Sequence, residues 1–86
     1  MARHSLEITR TAEKQLRKLP ADARRRVAHA MVTLADDPRP PGSRKLSGHE
    51  DVFRIRVGVY RVIYSVSQRR VVIVILKIGH RRDIYR

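Results

Sequence analysis

Ser5-Leu6-Glu7-Ile8 alternates polar and apolar residues and predicts a short strand, ended at Thr9-Arg10-Thr11, where a threonine can cap a helix. Ala12, Leu16 and Leu19 then recur at i, i+4 and i+7 with Glu13, Lys14, Arg17 and Lys18 off that face, which is helical spacing. Pro20 breaks the run, but proline is accepted in a helix's first turn. A second helix is therefore predicted from about Pro20 or Ala21 to about Ala35, with Val27, Ala30, Met31 and Leu34 as its apolar stripe. Arg24, Arg25 and Arg26 read as a solvated face, since consecutive helical positions point in different directions. The Asp36-Asp37-Pro38-Arg39-Pro40-Pro41-Gly42 cluster stops the helix. From Arg39 to Asp51 there is no periodicity, and so long a connection in a small domain is often functional. Leu46 can pin it to the core while Arg44 and Lys45 reach phosphate; a basic loop with no ligand fits the same residues.

Phe53 to Tyr64 reads as a β-hairpin around Gly58-Val59, with glycine where a type II′ turn needs positive φ. The register follows. Val57 faces Tyr60, Ile55 faces Val62 and Phe53 faces Tyr64 on a core side, while Arg56 faces Arg61 and Arg54 faces Ile63 on the other. Like charges directly opposite are destabilising, so stability alone does not favour Arg56 against Arg61, whereas an anionic ligand does.

Ser67-Gln68-Arg69-Arg70 predicts a polar turn into Val71–Ile78, a strand apolar on both faces and so placed inside the sheet, with the first strand on its far edge. A three-residue turn puts Lys77 on the face of Arg61 and a two-residue turn puts it in the core; the first is favoured, because an unpaired buried lysine is costly. The predicted fold class is α+β: an N-terminal strand and helical hairpin packed on one face of a curled, mainly antiparallel four-stranded sheet, residues 1–86 forming one domain. The other face carries Arg54, Arg56 and Arg61.

Charge sharpens this picture. The net charge of +12 comes from 20 Lys and Arg against 8 Asp and Glu, and points to nucleic acid or an acidic protein as partner. Residues 52–86 hold nine of the cations and a single acid, Asp83. There is no cysteine, so neither disulfides nor thiolate metal sites are expected. No apolar run approaches the roughly 20 residues of a membrane span, and the N-terminus lacks a signal-peptide apolar region, so a cytoplasmic protein with no membrane partner is expected.

Lys45-Leu46-x-Gly48, then Phe53-Arg54-Ile55-Arg56-Val57-Gly58-x-Tyr60-Arg61-Val62-Ile63-Tyr64, then the aliphatic strand and Gly79-His80-Arg81-Arg82-x-x-Tyr85, closely resemble the RelE branch of the RelE/ParE toxin superfamily. Leu16-Arg17-Lys18-Leu19-Pro20 also fits, so the likeness covers nearly the whole chain. It implies a type II toxin that cleaves mRNA in the A site of the 70S ribosome and is neutralised by a cognate antitoxin, expected to be acidic, with operator DNA bound only through the antitoxin complex. It also places Arg54, Arg56, Arg61, Arg81 and Tyr85 at the family's functional positions.

RNA cleavage without metal or other cofactor can use the RNA's own 2′-hydroxyl, which needs a proton acceptor, charge stabilisation at phosphorus and a proton donor for the 5′-oxygen. The carboxylates are scattered, and neither Asp36-Asp37 nor Glu50-Asp51 has evident partners for a two-metal site. Arg61 is the candidate to hold the scissile phosphate, flanked by Arg54 and Arg81. Lys45, Arg54, Arg56, Lys77 and Arg82 are candidate RNA contacts. Well-studied relatives carry lysines where this chain has Arg54 and Arg56, and arginine is no general base. The proton acceptor is therefore sought in Tyr85, whose phenolate the arginines would favour, or in His80, whose imidazole can serve as base or acid. Tyr85 equally fits stacking on a base, and a lone histidine in a basic tail is more often merely solvated. Two other readings compete: a non-enzymatic inhibitor of DNA gyrase of the ParE type, and a basic RNA-binding protein without catalysis.

Overall fold

The computed structural model describes residues 3–80, which form strand β1 (Ser5–Ile8), helices α1 (Arg10–Arg17) and α2 (Ala21–Asp36), and strands β2 (Arg44–Lys45), β3 (Val52–Val57), β4 (Tyr60–Ser67) and β5 (Val72–His80). Thr9 makes the first boundary: its side chain accepts a hydrogen bond from the Ala12 N–H at 3.1 Å, capping α1. Pro20 sits at the N-cap of α2, where its missing donor costs nothing.

The sheet runs β1-β5-β4-β3-β2, with β1 parallel to β5 and every other pair antiparallel. The α+β class is as predicted, and β1 lies on the far edge beside an interior β5. The sheet has five strands where four were predicted. The addition is β2, two residues pairing Arg44 with Arg54 and Lys45 with Phe53. Two residues are too few to show an alternation in sequence.

Both helices pack on one face. Ala12, Val27, Met31 and Leu34 meet Phe53, Ile55, Val62, Tyr64, Val66, Ile73, Ile75 and Ile78, with Leu16, Leu19 and Ala30 at the margin. The β3–β4 register is the one read from the sequence, from Val57 opposite Tyr60 to Phe53 opposite Tyr64, and Gly58 has φ +62°.

Between β4 and β5 the connection spans four residues, 68–71, since Ser67 pairs with Val72. Left unbroken, that register would bring Lys77 opposite Val62, in the core. A β-bulge prevents it: Tyr64 pairs with Ile75 but Ile63 with Lys77, leaving Leu76 as the extra residue. Lys77 thus reaches the face of Arg61, as expected, through a bulge and not through a three-residue turn. Val71, at the end of this turn, has φ +55°, a left-handed conformation that a β-branched side chain adopts only under strain.

Tyr64 ties the chain after α2 to the sheet. Its ring is fully buried and stacks on Phe53 at 5.9 Å, and its hydroxyl donates to the Pro38 carbonyl at 2.7 Å. Burial pushes its pKa up to about 12, a rise opposed by the Ser43 hydrogen bond and supported by nearby Asp37. Arg39 lies over the Phe53 ring, 5.3 Å from its centre.

Candidate nucleic-acid interface

On the face away from the helices, side chains fall in rows across the strands. Nearest the β3–β4 turn, Arg56 stands directly opposite Arg61, and Arg61 opposite Gly79. The next row runs Arg44, Arg54, Ile63 and Lys77. Beyond it lie Val52, Ser65, Val74 and, from β1, Glu7. Two adjacent rows thus collect five cations over a backbone area of roughly 15 by 7 Å.

Arg54 and Arg61 are half-buried, whereas Arg44, Arg56 and Lys77 are exposed. Ile63 lies between them at 7% exposure, an apolar floor that lowers the local dielectric and strengthens the field above it. Among the described residues no carboxylate forms an ion pair with Arg54, Arg56 or Lys77; the three ion pairs found there, Arg3–Asp36, Arg17–Glu13 and Arg25–Asp22, lie elsewhere. Guanidinium groups such as those of Arg54 and Arg56 grip phosphate in two-pronged fashion.

The structure brings Arg54, Arg56, Arg61 and Lys77 of the predicted residues together. Lys45 is not with them: it pairs with Phe53 and so lies on the helical side of the sheet's edge, while its neighbour Arg44 shares the cationic row. His80 pairs with Tyr60, their rings edge-on at 6.0 Å, which puts it on the helical side as well, across the sheet from Arg61. Arg81, Arg82 and Tyr85 lie outside the described residues. Among those residues no three His, Asp or Glu side chains gather as metal ligands. A concavity of about 340 Å³ is lined by Lys45, Leu46 and Ser47 to Glu50, away from the cationic rows.

Sequence reading gave Arg44, with Lys45, as able to reach phosphate but did not set it beside Arg54, because that place depends on the two-residue pairing with β3. It also treated Arg24, Arg25 and Arg26 alike. All three are exposed, but Arg25 pairs with Asp22 at 2.6 Å and the Arg26 guanidinium reaches the hairpin turn, 3.5 Å from where a β-carbon on Gly58 would stand.

A basic sheet face backed by two helices, in this strand order, is the fold of a class of small toxins. The family model of the ParE toxin of the type II toxin-antitoxin system parDE matches residues 6–85. Toxin RelG of Mycobacterium tuberculosis is 34% identical over 87 residues, covering 96% of this chain and 97% of that protein. The mRNA interferase toxin RelE of Escherichia coli is 30% identical over 78 residues, covering 88% of this chain and 81% of that one. The archaeal RelE–RelB complex of Pyrococcus horikoshii superposes with a TM-score of 0.83 at 35% identity, over 96% of this chain and 99% of that one. The chain belongs to the RelE/ParE superfamily of type II toxins.

Proposed function

We propose that this toxin is an endoribonuclease that cuts mRNA in the ribosomal A site without a metal ion, so inhibiting translation. The observation that carries the reading is Arg56 directly opposite Arg61, in the cationic row nearest the β3–β4 turn, an opposition of like charges that stability alone does not favour and a bound anion does. The Escherichia coli relative's name, mRNA interferase, supports the same chemistry.

The RNA's 2′-hydroxyl gives up its proton and its oxygen attacks the adjacent phosphorus; the bond from phosphorus to the 5′-oxygen breaks, and that oxygen takes up a proton. Arg61 holds the phosphoryl oxygens as their charge grows, with Arg54 and, by resemblance, Arg81 beside it. Arg44, Arg56 and Lys77 extend the contact along the RNA backbone. His80 stands on the helical side, which favours Tyr85 as the proton acceptor. The antitoxin partner, supported by the Pyrococcus horikoshii RelE–RelB complex, is an acidic segment that gains association rate from the +12 charge. Operator DNA is bound through that complex, and the toxin works in the cytoplasm.

The match to the ParE toxin model favours one alternative, non-enzymatic inhibition of DNA gyrase. Expression in cells separates them: cut messages for the nuclease, DNA damage for the gyrase inhibitor. For the site, Arg61→Ala should lower single-turnover cleavage of ribosome-bound mRNA by roughly 10²- to 10³-fold with the fold intact. Cleavage at the parental rate by a well-folded Arg61→Ala protein refutes the assignment.

A further inference from the structure

Strand β1 stops at Ile8, whereas β5 continues five residues past its last β1 partner, Ile75. The edge of β5 beyond that point is completed by side chains and a cap residue instead of a strand. Thr9 donates its N–H to the Ile75 carbonyl at 3.0 Å and its hydroxyl to the Leu76 carbonyl at 3.1 Å. From α1, the Gln15 side-chain oxygen accepts the Ile78 N–H at 2.7 Å. These contacts bracket the bulge, with Thr9 on its near side and Gln15 on its far side. The bulge decides which face Lys77 takes.

We propose that Gln15 is a positioning residue for the cationic site, an inference that rests on the nuclease reading above for its effect on rate. Its bond to Ile78 holds the end of β5 in the shifted register, keeping Lys77 beside Arg54 and Arg61 and Gly79 opposite Arg61. The apolar packing of the core does not itself call for a glutamine at this place. Gln15 is half-buried on a helix whose other packing contacts are apolar, and Ile78 already supplies the buried side chain. What the glutamine adds is a partner for an N–H that the bulge turns away from β4 and that β1 is too short to meet.

The test uses Gln15→Met, which keeps length and removes the acceptor, and Gln15→Glu, which keeps an acceptor. Amide hydrogen exchange should show the Ile78 N–H losing protection in Gln15→Met and keeping it in Gln15→Glu, with the amide resonances of Lys77, Gly79 and His80 shifted only in the former. Single-turnover cleavage at saturating ribosome should fall about 10- to 100-fold in Gln15→Met, at unchanged half-saturation, and recover in Gln15→Glu, since small misplacements of catalytic groups cost this much. Val66→Ala, which removes buried methyl groups from β4 opposite Ile73, toward the β4–β5 turn and away from the cationic rows, should be destabilised yet cleave at the parental rate, so a general loss of stability cannot account for the effect. An unprotected Ile78 amide with parental cleavage in Gln15→Met overturns the positioning role. So does an amide that stays protected with resonances unmoved. If the parental protein itself cuts nothing, the nuclease reading fails, and the exchange and resonance measurements alone decide whether Gln15 sets the end of β5.

Discussion

Arg56 and Arg61 face each other across the hairpin, two cations from adjacent strands in one directly opposed pair. Opposed like charges cost up to about 1 kcal/mol relative to neutral pairs, so Arg56→Thr should raise stability by a few tenths to about 1 kcal/mol while weakening RNA contact. Urea denaturation and cleavage at subsaturating ribosome, measured together, check the trade. A variant that is both more stable and equally active would mean that the pair serves no ligand.

Val71 offers the converse case, strain with no evident role at the site. Asparagine tolerates the left-handed conformation, so Val71→Asn should stabilise the protein by roughly 0.5–1 kcal/mol after the loss of some apolar contact. Cleavage should not change. A drop in melting temperature would show that the half-buried valine packs more than its backbone costs.

Tyr64 predicts a pH dependence. Its folded-state pKa of about 12 lies above the ordinary 10.0, so its contribution is fully present below pH 10 and is lost as pH rises from about 10 to 12. The loss is on the order of 2–3 kcal/mol. Tyr64→Phe forfeits the bond to Pro38, roughly 1–2 kcal/mol at neutral pH, but has no phenol to ionise. The stability difference between the two proteins should therefore shrink as pH rises above 10 and reverse in sign by about pH 12. A constant difference across that range contradicts the burial argument.

Arg24 and Arg25 sit on the helical side, away from the cationic rows. Under the ribosomal reading, replacing both with alanine should weaken ribosome association and flatten its salt dependence, while cleavage at saturating ribosome stays near parental. A large fall in the saturated rate would place them in the chemical step instead. Arg26 is kept out of this pair because it reaches Gly58, so its loss could disturb the hairpin itself.

The hairpin was legible because period-two alternation and one glycine fix a register completely, and with it the opposition of Arg56 and Arg61. Helix α2 was legible for a similar reason: Pro20 and the Asp36–Gly42 cluster bound an apolar stripe whose spacing has one interpretation. Lys77 came out on the correct face by a physical veto on burying it, although the device that puts it there, the bulge at Leu76, leaves no trace in a run of aliphatic residues. Arg44 and His80 show the limit. Each side chain's face depends on a pairing between distant segments, and near the ends of strands a residue's own neighbours do not reveal which partner it meets.

The position of β5 has a consequence for how the protein comes into being. It lies between β1, made before the other elements, and β4, so the sheet stays split until nearly all of residues 3–80 have left the ribosome. The contact between β1 and β5 joins residues more than sixty positions apart, as in Ser5 and Val72, and such distant pairings form late in folding. Lys77 takes its place beside Arg54 and Arg61 only then. A nascent chain therefore emerges with Arg44, Arg54, Arg56 and Arg61 able to gather on β2–β4 but without Lys77, and the surface is finished only once β5 has left the ribosome and paired.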